Sequence, residues 1–327
     1  MNDRPKPVVA VIKGGRSSEH DISLLSGEAV AAALAEAGFG VEVIEIGLDG
    51  RWLKDGEEMR LDPGAGLPGI DVAFPVLHGP FGEDGATQGV LETVGIPYVG
   101  SDVLGSAVCM DKLTLKRVCL SQGIGQVDFV EAGTEGWRDR ALSLGLPLWV
   151  KPSRLGSSVG ISRVESPDQL DGAVAAAADH DPRVIIEANC EGREIECSVL
   201  GNEDPEASVA GEIVTRGEWY DFDSKYSEGG MELSVPAELP EEVATELRKL
   251  AVQVFRLAGC SGMARCDFFV TGDGSVLLNE VNTIPGFTAM SVYARLWEAS
   301  GISYPELCRR LVELALDHYR ENRRHSF

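Results

Sequence analysis

The first hundred residues alternate strand and helix, and that order constrains the fold more than any other feature. "PVVAVIKGG" (residues 7–15) is a strand closing on two glycines, and "SSEHDISLLSGEAVAAALAEAG" (17–38) is a helix with a polar start and a Gly stop. "GVEVIEIGL" (40–48) and "DVAFPVLHG" (71–79) supply two more strands, and a helix through "QGVLETVG" leads to "IPYVG". Strands separated by helices cannot close as tight hairpins and instead lie parallel. The expectation is an open, mostly parallel α/β sheet whose ligands lie beyond the carboxyl ends of its strands. Gly14-Gly15 precedes a helix, but Gly-x-Gly-x-x-Gly is absent, so a Rossmann dinucleotide site is not expected.

From about residue 112 the texture changes. "DKLTLKRVCLSQG" reads as a helix and "LPLWVKPSRLGSSVGISRV" as strand, Gly/Ser loop, strand. "DQLDGAVAAAADH" is a helix and "RVIIEANCEGREIECSVLG" a further strand pair. A polar loop, "EWYDFDSKYSEGG", precedes the helix "EEVATELRKLAVQVFRLAG", a hairpin and closing helices. The order α/β, then α+β, then α+β predicts three domains around a shared cleft: 1–111, 112–190 and 191–327.

The hairpin, "ARCDFFVTGDGSVLLNEVN", places two strand-like runs around Asp273-Gly274, a strong two-residue turn signal. If those two residues form the loop, Gly272 faces Ser275, Phe269 faces Leu278, Asp267 faces Glu280 and Arg265 faces Asn282. A longer loop would slip this register by one. Glu280 and Asn282, two apart, share a strand face. Two opposed carboxylates repel unless something positive sits between them. A magnesium ion would resolve the conflict, with Arg265 placed to help. The alternative is a strand end surfacing into water.

"KPSRLGSSVGIS" (151–162) offers a lysine at a strand end followed by small residues whose N–H groups can turn toward an anion. It is not a Walker loop, because the lysine precedes the glycines. A plain Gly/Ser hairpin is the alternative. Lys112, Lys151 and Lys225 are three of only eight lysines, and each sits beside a strand end or a polar loop. With a metal hairpin they describe a nucleoside triphosphate held from several elements. In "RVIIEANCEGREIE", a strand edge with unused backbone groups could read an adenine, and Glu194 could accept from ribose hydroxyls; an ordinary strand–turn–strand is the alternative.

The net charge of -23 argues against nucleic acid and anionic membranes as partners. Seven cysteines without a Cys-x-x-Cys pair fit a reducing cytosol, with most of them in the core. No apolar run approaches the roughly 20 residues of a membrane helix, and the start "MNDRPKPVVAVIKGG" has no signal peptide. A soluble, cytoplasmic protein is expected.

Taken in order, "GGRSSEHDIS", "LHGPFGEDG", "MDK", "VKPSRLGSSVG", "EANCEGREIE", "YDFDSKY", "MARCDFF" and "NEVNTIPGFTAMS" span almost the whole chain. The chain resembles the ATP-grasp ligases, and among them the D-alanine–D-alanine ligase family. The resemblance implies ATP-driven joining of two D-alanines by way of a D-alanyl phosphate, and commonly a homodimer. It implies that Asp267, Glu280 and Asn282 carry Mg²⁺ (or Mn²⁺), as two ions. Lys112 and Lys151 match lysines on the inner phosphates, Lys225 one near the γ-phosphate, and Ser158 a further ATP contact. Glu187, Ala188 and Cys190 match the adenine segment and Glu194 the ribose partner.

By the same resemblance Glu19 holds the first D-alanine's ammonium, and His78 lies by that substrate. Glu19 at a helix start would by itself be a favourable dipole interaction. Arg265 and the Gly286 N–H match groups that stabilise an oxyanion, and Ser291 a hydroxyl that holds the second carboxylate. Ser157, Tyr226 and Glu19 match a hydrogen-bonded trio that shuts a lid of about residues 218–235, excluding water from an acyl phosphate. Relatives that make D-alanyl-D-lactate replace the segment bearing this tyrosine, so "YDFDSKY" favours a dipeptide over a depsipeptide.

Overall fold

The computed structural model describes residues 6–156, 159–215 and 231–324. Its first part holds β1 (Val8–Gly14), α1 (His20–Glu36), β2 (Gly40–Ile46), β3 (Trp52–Lys54), β4 (Glu57–Glu58), β5 (Val72–Pro75) and α2 (Ala86–Val94). The sheet order is β4-β3-β2-β1-β5. β1 lies between β2 and β5 and runs parallel to both, as the alternation predicts. Val9 to Ile12 are wholly buried, as a central parallel strand requires. The short β3 and β4 extend one edge antiparallel.

Next come α3 (Val103–Met110) and α4 (Lys112–Ser121), whose first turns are capped by the carboxylates of Asp102 and Asp111. β6 (Phe129–Glu131), α5 (Trp137–Ser143), β7 (Leu148–Pro152), β8 (Ser162–Val164), α6 (Leu170–Ala178) and β9 (Val184–Ala188) follow. Their four strands form an antiparallel sheet, β6-β9-β7-β8. The last part holds β10 (Gly192–Gly201), β11 (Glu206–Thr215), β12 (Met231–Ser234), α7 (Glu241–Leu257), β13 (Gly262–Thr271), β14 (Val276–Asn282), α8 (Val292–Ala299) and α9 (Tyr304–Asn322). Its sheet runs β12-β11-β10-β13-β14. β12 falls in the last residues of the expected lid segment and pairs with β11.

One expected pairing is absent. β9 and β10 do not form a strand pair: β9 lies between β6 and β7, whereas β10 lies between β11 and β13. Residues 189–191 therefore cross from one sheet to another, which puts their backbone at the mouth between the two.

The hairpin register holds where it matters and slips elsewhere. Arg265 faces Asn282 and Asp267 faces Glu280, as the sequence predicts. Nearer the turn, Phe269 faces Leu277 rather than Leu278. Thr271 N–H donates to Ser275 O, so Gly272 does not face Ser275 and the loop is one residue longer than Asp273-Gly274 alone. A bulge between the Asp267 and Phe268 pairings, where Asn279 is the extra residue, restores the register. The two shifts cancel before the polar positions are reached.

The closing helices do not pack only on their own sheet. Tyr293 and Trp297 of α8 and Leu307, Leu311 and Val312 of α9 share a core with Val9, Val11 and Phe74 of the first sheet. That packing brings the segment after β14 against the carboxyl ends of β1 and β5. All seven cysteines carry free thiols, and six are buried. Among the described residues no helix is long and apolar enough to cross a membrane.

Candidate active site

The three sheets meet at a cleft of about 560 Å³. It gathers every expected site residue that the structure describes: Glu19, His78, Lys112, Lys151, Glu187, Ala188, Cys190, Glu194, Arg265, Asp267, Glu280, Asn282, Gly286 and Ser291. Ser157, Ser158, Lys225 and Tyr226, and with them most of the 218–235 segment, lie outside the described residues.

Two rows cross one face of the last sheet. Glu196, Asp267 and Glu280 occupy matched positions on β10, β13 and β14, and Ser198, Arg265 and Asn282 occupy the next. The repulsion expected between Asp267 and Glu280 is met by the chain's own cations. Arg265 donates from Nε and Nη2 to the two Asp267 oxygens, each at 2.7 Å, and its Nε lies 2.9 Å from Glu196. Lys112 Nζ stands 3.1 Å from Glu280. Burial alone would lower the guanidinium's hold on its proton, but Asp267 and Glu196 raise it well above the ordinary arginine value. Asn282 Nδ2 donates to Asp267 at 2.9 Å, which turns its carboxamide oxygen the other way. Asp267 and Glu280 of the first row and Asn282 of the next together offer two carboxylates and one carboxamide, an all-oxygen set that fits a hard divalent cation completed by water or phosphate oxygens.

The adenine candidates are differently engaged than the sequence suggests. Glu187 is buried, and its carboxylate lies between two lysines, with Lys151 and Lys116 each 2.7 Å away. Burial would raise its pKa, yet Lys151 and Lys116 bring it down to about 2. The Ala188 N–H donates to Asp128 O at 2.9 Å and so is not an unused donor. Asn189 accepts from the Trp149 indole at 3.0 Å.

The Gly/Ser loop is anchored at both ends by one turn. Asp181 accepts the Arg154 N–H at 2.8 Å, the Arg154 guanidinium at 2.6 Å and the Arg183 N–H at 3.0 Å. At the other end Gly160 has φ +71°, and a Cβ there would lie 2.7 Å from the His180 ring and 2.9 Å from Pro152. Asp111 ties this loop to α4. It accepts from Thr114 N–H at 3.0 Å and from the Ser153 hydroxyl at 2.8 Å, while Lys112 N–H donates to Ser153 O at 3.0 Å.

At the first sheet, Glu19 occupies the N-cap position of α1 and is buried. His78 is buried with both ring nitrogens in use: Nδ1 is 2.9 Å from Ile284 O and Nε2 is 3.0 Å from Ser26 Oγ. A carbonyl can only accept, so the proton sits on Nδ1; burial lowers the pKa of the ring. Glu83 grips the same peptide from the other side. Its carboxylate accepts from Ile284 N–H at 2.9 Å and Gly79 N–H at 2.8 Å, and burial, with Glu19 nearby, raises its pKa to about 8. His78 and Glu83 thus hold Ile284, two residues before Gly286. Ser291, the N-cap position of α8, accepts the Thr288 N–H at 3.0 Å.

Sequence reasoning missed Glu83, Lys116 and Glu196. Glu196 had a signal: it alternates with Glu194 along β10 and falls in register beside Asp267. Lys116 had only its i,i+4 spacing from Lys112, which any helix surface shows.

Two antiparallel sheets closing on a lysine-lined cleft, joined to an open α/β sheet, define an ATP-grasp enzyme. The profile of the D-ala D-ala ligase N-terminus matches residues 8–66 and 58–101, and that of the D-ala D-ala ligase C-terminus residues 118–313. The chain is 46% identical over 333 residues to a D-alanine–D-alanine ligase of Deinococcus radiodurans, covering 94% of this chain and 98% of that one. It is 40% identical over 352 residues to D-alanine–D-alanine ligase A of Salmonella typhimurium, covering 96% and 97%. Among solved structures, the D-alanine-D-alanine ligase from Coxiella burnetii matches with a TM-score of 0.89 at 37% identity, over 98% of this chain and 97% of that one. The VanG D-Ala:D-Ser ligase from Enterococcus faecalis matches with a TM-score of 0.85 at 33% identity, over 95% and 99%. The chain belongs to the D-alanine–D-alanine ligase family.

Proposed function

We propose that this enzyme joins two D-alanines to D-alanyl-D-alanine at the expense of ATP, through a D-alanyl phosphate, for peptidoglycan precursors in the cytoplasm. The observation that carries the reading is that one cleft gathers all fourteen described residues expected for that chemistry. Lys112 and Lys151 hold the inner phosphates, the 187–190 crossing receives the adenine, and Glu194 receives the ribose. Asp267, Glu280 and Asn282 hold Mg²⁺ or Mn²⁺, two ions in all, which when bound neutralises the phosphoryl oxygens.

Glu19 takes the first D-alanine's ammonium, beside His78. Arg265, held by Asp267 and Glu196, and the Gly286 N–H face the oxyanion that forms as the second amine attacks. Ser291, at a helix N-terminus, receives the second carboxylate, where N–H groups and dipole favour an anion. Ser157, Ser158, Lys225 and Tyr226 keep the lid and phosphate roles that rest on the sequence. The division 1–111, 112–190 and 191–327 is supported by one sheet within each segment. A homodimer is part of the same proposal.

The test is ADP release with Mg-ATP and D-alanine, L-alanine, or D-alanine plus D-lactate, with the product identified by mass. D-alanine dependence with an amide product is the expected result. ADP formed only when D-lactate is present would overturn the dipeptide reading, and no turnover with any of these would overturn the substrate.

A further inference from the structure

Lys116 sits one helical turn after Lys112 on α4 and is 1% exposed. Its Nζ lies 2.7 Å from one Glu187 oxygen and 3.5 Å from Val127 O, with the Phe129 ring 5.6 Å away. Lys151 takes the other Glu187 oxygen, also at 2.7 Å. Glu187 and Lys151 line the cleft and Lys116 does not. Burying an ammonium costs several kcal/mol before its partner compensates. A methionine of similar length would pack against Phe129 without that cost.

The arithmetic of charge supplies a reason for the lysine. Glu187 with Lys151 alone is a neutral pair, and a neutral pair offers a phosphate little attraction. With Lys116 the group carries one net positive charge, and of its two lysines only Lys151 lines the cleft. We propose that Lys116 is a positioning residue that acts through Glu187: it neutralises that carboxylate from behind, so that Lys151 presents its charge to the nucleotide phosphates. This inference rests on the nucleotide reading above.

The experiment compares wild type, Lys116→Met, Glu187→Gln and the double variant by calorimetric titration with ADP and with adenosine, alongside thermal melts. The readout is the ratio of the two affinities, which cancels changes at the adenine. The net charge of the group is +1 in wild type, 0 in Lys116→Met, +2 in Glu187→Gln and +1 again in the double variant. Lys116→Met should weaken ADP on the order of tenfold and leave adenosine within about twofold; the double variant should return the ratio to near wild type. A merely structural role would lower ADP and adenosine binding together, or neither, and either result overturns the inference. So does a double variant no better than Lys116→Met. If Lys116→Met does not fold, Glu187→Gln against the double variant carries the test, and the inference requires the higher ratio in Glu187→Gln. Wild type that fails to bind ADP at all would overturn the nucleotide reading itself.

Discussion

Gly286→Ala separates stability from function at the second-substrate site. Gly286 lies outside the left-handed backbone region, so an L-residue can adopt its conformation. A Cβ there would stand 3.4 Å from Ser291 Oγ and 3.8 Å from Ser291 Cβ, both ordinary contacts, and among the described residues nothing else beyond its chain neighbours lies within 4 Å. Folding should therefore gain about 0.4–1 kcal/mol from the less flexible unfolded chain. Function should lose. The methyl group projects into the space between Gly286 and Ser291, where the second carboxylate is proposed to sit. An extra methyl in a filled site costs about 1–3 kcal/mol, which corresponds to a roughly 5- to 150-fold loss in kcat/KM for D-alanine at saturating ATP. The KM for ATP should stay within about twofold. Coupled ADP assays with each substrate varied, and a thermal melt of the same preparation, make the comparison. An unchanged kcat/KM in a stable variant would show that this gap is not the second subsite. A large drop in melting temperature would refute the backbone argument instead.

Two further expectations concern the lysine-rich side of the cleft. Glu187 has a folded pKa of about 2 against an ordinary 4.5, so its stabilising contribution is complete above pH 4.5 and is lost as the pH falls toward 2. Denaturant melts at pH 5 and pH 3 should show wild type losing up to about 2 kcal/mol more than Glu187→Gln; equal losses would refute the assignment. Asp181→Ala leaves the N–H groups of Arg154 and Arg183 without their acceptor and should cost about 2–4 kcal/mol. It should raise the KM for ATP more than that for D-alanine, because it loosens the loop at one end only. Equal changes in both KM values would place its role elsewhere.

What was legible in the sequence follows from how local each signal is. The parallel pairing of β1 with β2 was readable because the helix α1 between them forces it, whereas β5 follows β2 without a helix and took its place from the βα texture of the segment as a whole. The pairing of Asp267 with Glu280 was readable from alternation and a turn dipeptide. The longer loop and the bulge at Asn279 were not, since each is a one-residue adjustment that composition does not mark. The separation of β9 from β10 was hidden because two strands in succession look the same whether or not they pair. Lys116 and Glu83 were hidden for a different reason. A lysine on a helix and a glutamate in a Gly-rich loop read as surface residues until tertiary packing buries them.

A chain with a net charge of -23 must still hold a polyanion, and among the described residues the site resolves this by pairing Lys112, Lys151 and Arg265 each with a carboxylate. Lys112 faces Glu280, Lys151 faces Glu187, and Arg265 faces Asp267 and Glu196. Buried charges kept in pairs avoid the cost of lone ions in a low-dielectric cleft. On the proposed function, the Lys112–Glu280 and Arg265–Asp267 pairs can exchange partners when the nucleotide arrives with its cation. Asp267 and Glu280 would then be the residues that hold the cation, which would supply charge neutralisation, and Lys112 and Arg265 would be left to face phosphate and oxyanion. Glu187 has no such exchange, because it lies buried between two lysines rather than in the metal row. That is why Lys151 alone needs a second lysine behind its carboxylate, and why the charge count at Glu187, rather than the number of lysines in the cleft, should govern how tightly phosphates bind there.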